Sequence, residues 1–167
     1  RQSMVDARFQ KADKNTGFTI LKVPVTDIPA ETKERIITAP LGNSYGLNQG
    51  EPVIAIGSPM GYSDSIAYGV VTSTTNSVSK VDAEYGILTT DIVGSGDGSG
   101  ILVNLKGEVV GVIAQSFAKA DTKNIITGLS ISQTKDLIEN LSNNKDIIYM
   151  GITGQTITTE ILSLIHI

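Results

Sequence analysis

The residues that could do chemistry lie in one glycine-rich stretch, residues 94–100, which reads Gly-Ser-Gly-Asp-Gly-Ser-Gly. Glycine tolerates positive φ and close backbone approach, so such a turn can point consecutive N–H groups at one place. With a serine in the turn, such an arrangement is typical of an oxyanion hole or of an anion-binding nest. A flexible surface loop that merely joins two strands has the same composition, and the loop alone leaves both interpretations open.

The segments around this loop carry a family resemblance. Residues 90–91 (Thr-Asp) precede it, and residues 102–112 (Leu-Val-Asn-Leu-Lys-Gly-Glu-Val-Val-Gly-Val) follow it. This order resembles the HtrA (DegP-like) branch of the trypsin-like serine proteases, in which a Gly-Asn-Ser-Gly-Gly motif lies between the same flanks. Residues 39–44 and 50–61 resemble the family's segment that leads into its second barrel, and residues 69–73 resemble the next strand. The resemblance extends over nearly the whole chain.

An all-β fold is expected. The chain has 167 residues, 40% of them apolar, and 17 glycines, which is enough for one domain with a real core. The resemblance implies a trypsin-like Greek-key β-barrel: a complete C-terminal barrel, only the end of the N-terminal barrel, and one C-terminal helix. Apolar and β-branched runs predict six barrel strands. These strands cover residues 52–56, 66–74, 87–91, 100–104, 108–116 and 124–131.

Three regions follow from this interpretation. Residues 1–36 form a remnant of the first barrel, in which a hairpin is expected around the polar residues 11–17. Residues 37–142 form the second barrel and a helix that Ser132 caps. Residues 143–167 form a linker and the start of a truncated PDZ-like region, because residues 149–154 resemble the family's junction into its PDZ domain. The chain begins at Arg1, which indicates a fragment of a longer protein.

The resemblance also shows departures from the family's catalytic set. The family's triad aspartate corresponds to Gly17, while Asp13 matches a turn residue. The family's histidine is expected upstream, in a part of the first barrel that this chain lacks, and the single His166 is at the wrong end. Without a base and its orienting carboxylate, a serine is a poor nucleophile.

The position of the nucleophile has two readings. Counting forward from Asp91 makes Ser99 the nucleophile, with Asp97 and Gly98 in the oxyanion loop. Counting backward from residues 102–104 puts Gly98 there instead, because this chain is one residue shorter than the family between the two anchors. Asp97 would in addition place a carboxylate where the family develops an oxyanion, which opposes catalysis.

The strand after the loop is a candidate for polypeptide binding. In the family, the matching strand pairs with the substrate main chain and walls the specificity pocket, and residues 128–131 match the strand that faces it. Core packing is an equally good account of Val112 and Ile113. The candidates in the substrate strand are Gly111, Val112, Ile113, Ala114 and Gln115.

These observations predict a catalytically impaired pseudoprotease that binds extended or misfolded polypeptide or serves as a structural subunit, with association between chains. The alternative is a fragment of an active serine endopeptidase whose histidine lies upstream. A phosphate or sulfate nest is a third reading, with Lys106 as its one nearby cation. A net charge of −4 and the absence of tryptophan argue against nucleic acid as a partner. The single His166 cannot build a metal site with its neighbours, and no cofactor is expected. The resemblance implies an extracytoplasmic or cell-surface location in a bacterium and a role in protein quality control.

Overall fold

A computed structural model describes residues 4–152. Six antiparallel strands close a barrel. Its interior is filled by fully buried aliphatic side chains, among them Val53, Leu102, Val110 and Ile126. The predicted all-β fold with a closed barrel is therefore confirmed. The strands are β3 (Pro52–Ser58), β4 (Ser65–Lys80), β5 (Ala83–Val93), β6 (Ser99–Val103), β7 (Val109–Ala114) and β8 (Ile125–Ser130). Around the barrel they follow the order β3-β4-β5-β8-β7-β6.

The strand boundaries differ from the sequence-based expectation, most of all in β4, β5 and β7. Strand β4 continues to Lys80 and strand β5 begins at Ala83, so the two strands form one long hairpin. The sequence pattern predicted no strand over residues 75–86. Their serine and threonine residues look loop-like, but cross-strand pairs such as Ser77↔Gly86 continue the ladder. Strand β7 ends at Ala114 instead of Ser116, because a 3-10 turn begins at Gln115.

The predicted N-terminal hairpin is present as a separate two-stranded sheet. Strand β1 (Arg8–Ala12) pairs antiparallel with β2 (Thr19–Lys22). Gly17 adopts φ +76° in the connecting turn and donates its N–H to the carbonyl of Asp13. The side chains of Phe9 and Leu21 are exposed on this sheet. The chain then crosses exposed residues, with a 3-10 turn at Val25–Asp27 and the one-turn helix α1 (Ala30–Lys33).

The C-terminal helix α2 (Ile131–Ser142) packs a buried stripe that includes Ile131, Leu137 and Leu141. Ser132 does not cap this helix, contrary to the sequence-based prediction, because it lies inside the first turn. The cap comes from a distant segment: Ser44 Oγ accepts the N–H of Ser132 at 3.0 Å, and Ser132 Oγ accepts the N–H of Ser44 at 2.8 Å. This exchange satisfies a helix N–H that would otherwise lack a partner.

Within residues 4–152, no helix is both long enough and apolar enough to cross a membrane.

Candidate functional site

A groove of about 530 Å³ runs between the barrel and the N-terminal hairpin. Its barrel wall consists of the residues before and at the start of β6 together with the end of β7. Its hairpin wall consists of the β1–β2 turn and the start of β2. Both parts of the chain that the sequence singled out, the glycine-rich stretch and Gly17, therefore lie at one groove. The lining includes residues 16–20, 96–100 and 112–116, and Ile138.

Ser99 is the first residue of β6 and is exposed in the groove. Its backbone is paired on both sides, with Ser58 of β3 and with Ala114 of β7. On the hairpin wall, the direction in which a side chain would leave Gly17 is open, with no atom within 4 Å. The groove thus holds an exposed hydroxyl, but at Gly17 it has no carboxylate to orient a base.

Gly98, the other candidate for the nucleophile's position, has no room for a side chain in this conformation. A Cβ there would lie 2.7 Å from the carbonyl oxygen of Pro59 and 2.9 Å from that of Ser95. Real Cβ atoms do not approach backbone oxygen this closely. Of the two counted positions, Ser99 is the one that carries a side chain into the groove.

The backbone of the glycine loop, defined here as residues 94–98, is organised by Ser95. The N–H of Gly98 donates to the Ser95 carbonyl at 2.9 Å, and the N–H of Asp97 donates to Ser95 Oγ at 3.2 Å. Ser95 in turn donates its N–H to the carbonyl of Pro59 at 2.8 Å. The two amides expected to serve an oxyanion are therefore turned toward Ser95. Ser95 was not among the predicted site residues, although a serine hydroxyl often accepts the backbone N–H two residues later and closes a turn in this way.

Asp97 is exposed at the rim of the groove, one residue from Gly98. Its carboxylate adds negative charge where an acyl-transfer reaction would need donors. The sequence has one histidine, His166, and this residue lies outside the described residues, as do residues 153–154 of the proposed PDZ junction.

Most of the candidate substrate strand is already paired inside the barrel. Residues Gly111, Val112 and Ile113 pair with β6 on one side and with β8 on the other. Ala114 pairs with Ser99 in β6, and Gln115 starts the 3-10 turn. Free backbone for an added strand is thus restricted to the end of β7 and the turn that follows.

Gln115 is 7% exposed and its carboxamide spans three segments. Nε2 lies 3.2 Å from the carbonyl oxygen of Ser95, and 3.1 Å from those of Lys123 and Ile125. Oε1 accepts the N–H of Thr127 at 2.8 Å. The sequence placed Gln115 in the candidate strand but gave no sign that its side chain would be buried under the glycine loop.

A buried carboxylate, Asp13, joins the hairpin to the C-terminal segment, defined here as residues 143–152. Its Oδ2 accepts the N–H of Thr16 at 2.8 Å and the hydroxyl of Thr16 at 2.6 Å, and its Oδ1 accepts the hydroxyl of Tyr149. Burial alone would raise the pKa of Asp13, but the hydrogen bonds from Thr16, Tyr149 and Asn15 outweigh it, so the pKa is lowered. Burial and the Asp13 carboxylate raise the pKa of Tyr149. Asp13 is therefore an ionised anchor of the hairpin wall.

A second carboxylate holds the same segment. Asp82, at the tip of the β4–β5 hairpin, accepts the N–H groups of Gly151 and Ile152, each at 2.7 Å. Lys11 of β1 forms a 2.6 Å ion pair with Asp146. The C-terminal segment is thus attached to both hairpins through side chains that are distant in sequence.

Comparisons with known proteins agree with this geometry. A family described as "Trypsin-like peptidase domain" matches residues 2–112. A probable periplasmic serine endoprotease, DegP-like, from Pseudomonas savastanoi is 33% identical over 143 residues, covering 85% of this chain and 27% of that protein. Serine protease HTRA2, mitochondrial, from Bos taurus is 33% identical over 160 residues, covering 90% of this chain and 33% of that protein. The chain thus spans about a third or less of these relatives.

Among solved structures, the HtrA-type protease AlgW with a decapeptide matches 97% of this chain and 49% of that chain, with a TM-score of 0.70 and 19% identity. At that identity the likeness concerns the fold. The family match covers residues 2–112 of the 167, and the relatives named above are DegP-like and HTRA2 proteases. The chain therefore belongs to the trypsin-like peptidase domain family, in its HtrA branch.

Proposed function

We propose that this chain is a catalytically impaired HtrA-like domain that binds extended or misfolded polypeptide. The observation that carries this proposal is the inward orientation of the Asp97 and Gly98 amides, which donate to Ser95. An oxyanion hole works because its donors are already aimed at the developing charge, and removing one such donor costs about two to three orders of magnitude in kcat. With Gly17 in the place of the orienting carboxylate, a second part of the machinery is missing.

Polypeptide is the expected partner because three features meet at the groove: the exposed hydroxyl of Ser99, the backbone at the end of β7 and the start of β2. Extended peptides bind such places through main-chain hydrogen bonds. AlgW, a structural neighbour, was solved with a decapeptide. If the groove binds no polypeptide, the domain acts instead as a structural subunit of an assembly, in the simplest case a homo-oligomer.

A second candidate is a piece of an active serine endopeptidase. It is favoured by the exposure of Ser99 in the groove and by the DegP-like relatives, which are named serine endoproteases. In this case a histidine from outside the chain would act on Ser99. The periplasmic DegP-like relatives favour an extracytoplasmic location for either candidate.

Reaction of this chain and of the longest available parent with a fluorophosphonate probe separates the two candidates. The probe labels an activated serine, and mass mapping locates the adduct. We expect no adduct on wild-type protein, while a labelled, permanently unfolded polypeptide binds in fluorescence polarisation. An adduct at Ser99 that Ser99→Ala removes and Ser116→Ala retains would establish the active endopeptidase instead, since Ser116 is another exposed serine of the same groove. Absence of both labelling and binding would leave the structural-subunit role.

A further inference from the structure

The side chain of Gln115 lies between the glycine loop and residues 123–127 and bonds both. Nε2 has two N–H bonds and shares them among three carbonyl oxygens, and Oε1 receives the N–H of Thr127. Gln115 also lines the groove, at the end of β7. A side chain entering from the groove toward the start of β8 would therefore have to displace this carboxamide.

The loop above Gln115 is tightly packed as well. A Cβ at Gly94 would lie 2.7 Å from the carbonyl oxygen of Pro59 and would overlap Ile126, and a Cβ at Gly98 would lie 3.2 Å from Ile126 Cδ1. Ile126 itself is fully buried. Pro59 and Ile126 thus pack closely against the loop, and Gln115 bonds the loop through the carbonyl of Ser95.

We propose that Gln115 occupies, from within the chain, the space that would otherwise receive a side chain of a bound polypeptide, and that it locks the glycine loop at the same time. The inference rests on the proposed polypeptide binding. It assigns a specificity: the groove recognises main chain and takes small side chains over Gln115, with no selection for a large apolar residue. Gln115 is then a specificity-determining residue that acts by exclusion.

The two effects can be separated because one depends on volume and the other on hydrogen bonds. Gln115→Ala removes both the volume and the bonds. Gln115→Met keeps a side chain of similar length but cannot bond the three carbonyls or the Thr127 amide. Thr134→Val on α2 is the matched control, because Thr134 is 0% exposed and its hydroxyl bonds Ser130 and Ile131, away from the groove.

The first measurement is amide hydrogen exchange, which needs no ligand. Both Gln115 variants should accelerate exchange of the Gly98 and Thr127 amides tenfold or more, with the amides of β3 unchanged, and Thr134→Val should leave the loop amides as in wild type. Unchanged exchange in Gln115→Ala would overturn the lock, whatever the peptide assays show.

The second measurement compares two labelled decapeptides with lysine at each end, one of alternating alanine and threonine and one of alternating leucine and threonine. Wild type and Gln115→Met should bind both within about threefold. Gln115→Ala should bind the leucine peptide about tenfold or more tightly than the alanine peptide, because a leucine side chain gains a buried site.

The outcomes distinguish this inference from the proposed function. A leucine preference of tenfold in wild type, or none in a folded Gln115→Ala protein that binds both peptides, overturns the exclusion. Binding of neither peptide by any variant overturns polypeptide binding and the specificity with it, while accelerated exchange would still support the lock on the glycine loop.

Discussion

The barrel wall of the groove rests on a buried core and on strands that are paired on both sides, whereas the hairpin wall rests largely on polar contacts with distant segments. On the barrel side, Leu102 and Val110 are fully buried. On the hairpin side, β1 and β2 pair with one another, and Asp13 and Lys11 hold them to the C-terminal segment. Of the hairpin's apolar residues, Phe18 packs against the buried cluster of Tyr85, Phe117 and Leu129.

Because of this difference, we expect the stability of the two walls to depend on different substitutions and to differ in its dependence on pH. Apolar burial stabilises the barrel wall at every pH, since it involves no titrating group. The hairpin wall depends on the ionised carboxylate of Asp13 and on hydrogen bonds that are lost when a substitution deletes one oxygen or nitrogen atom. Substitutions should therefore unfold the protein from one side of the groove and only loosen it from the other.

The largest effect is expected on the barrel side, from Leu102→Ala. This substitution empties a fully buried site and should lower the free energy of unfolding by about 2–5 kcal/mol. Urea denaturation followed by circular dichroism measures it. Leu105→Ala, at a side chain 66% exposed in the β6–β7 turn, should change stability by less than about 0.5 kcal/mol. Equal midpoints for the two variants would contradict the description of this wall.

A slightly smaller effect is expected from Gly100→Ala. Gly100 adopts φ +131°, and a Cβ there would overlap the carbonyl oxygen of Ile56 in the neighbouring strand. Backbone strain and overpacking together should cost roughly 2–4 kcal/mol. The control is Gly107→Ala, at φ +78° with open space around it, which should cost about 1–2 kcal/mol. If thermal unfolding shows that Gly107→Ala is the more destabilised variant, β3 and β6 do not approach each other as closely as described.

On the hairpin side, Tyr149→Phe should act locally. It removes the hydroxyl that donates to Asp13 and should cost about 1–2 kcal/mol, because hydrogen bonds to charged groups are stronger than neutral ones. Amide exchange should accelerate in β1 and β2 and stay unchanged in β6 and β7. Tyr45→Phe, at a side chain 70% exposed, provides the comparison and should leave both walls as they are. Equal acceleration in both walls would mean that the walls are not independent.

The smallest effect is a pH dependence confined to the hairpin wall. The pKa of Asp13 in the folded protein is lowered from its ordinary value of 3.8. A lowered pKa stabilises the fold above the unfolded value, and this stabilisation is lost as the pH falls through the folded pKa. We therefore expect the hairpin wall to be fully held above pH 3.8 and to loosen below it.

The amide chemical shift of Thr16, whose N–H donates to Asp13, reports this titration directly. Its midpoint should lie below 3.8, and Asp13→Asn should abolish the transition. A midpoint at or above 3.8 would show that burial outweighs the hydrogen bonds and that the anchor is weaker than its contacts indicate.

Much of the barrel could be predicted from the sequence because short local patterns of apolar and β-branched residues indicate most of its strands. Runs such as residues 52–56 and the turn at Asn104 to Gly107 specify strand and hairpin from neighbouring residues alone, and Gly107 does adopt positive φ in that turn. The extension of β4 and β5 escaped prediction because serine and threonine fit both loops and exposed strands.

The details of the site were less predictable because their partners are far apart in the chain. Ser44 caps a helix that begins 87 residues later, and Tyr149 reaches an aspartate 136 residues before it. No local pattern indicates such a partner. Counting along the sequence restricted the nucleophile's position to Ser99 or Gly98. The hydrogen bonds of the Asp97 and Gly98 amides depend on Ser95, which is itself bonded to Pro59, and only the three-dimensional structure shows these contacts.

The attachment of the N-terminal hairpin also has a consequence for the order of folding. Contacts between residues far apart in sequence form late, because a long loop must close before they contribute. On the ribosome, residues 8–22 emerge before the barrel strands but cannot be held in place until residues 142–152 have followed, since Gln10 donates to the carbonyl of Ser142 and Asp13 accepts the hydroxyl of Tyr149. The groove should therefore be the last part of the domain to assemble during synthesis and the first to open when the folded chain is stressed.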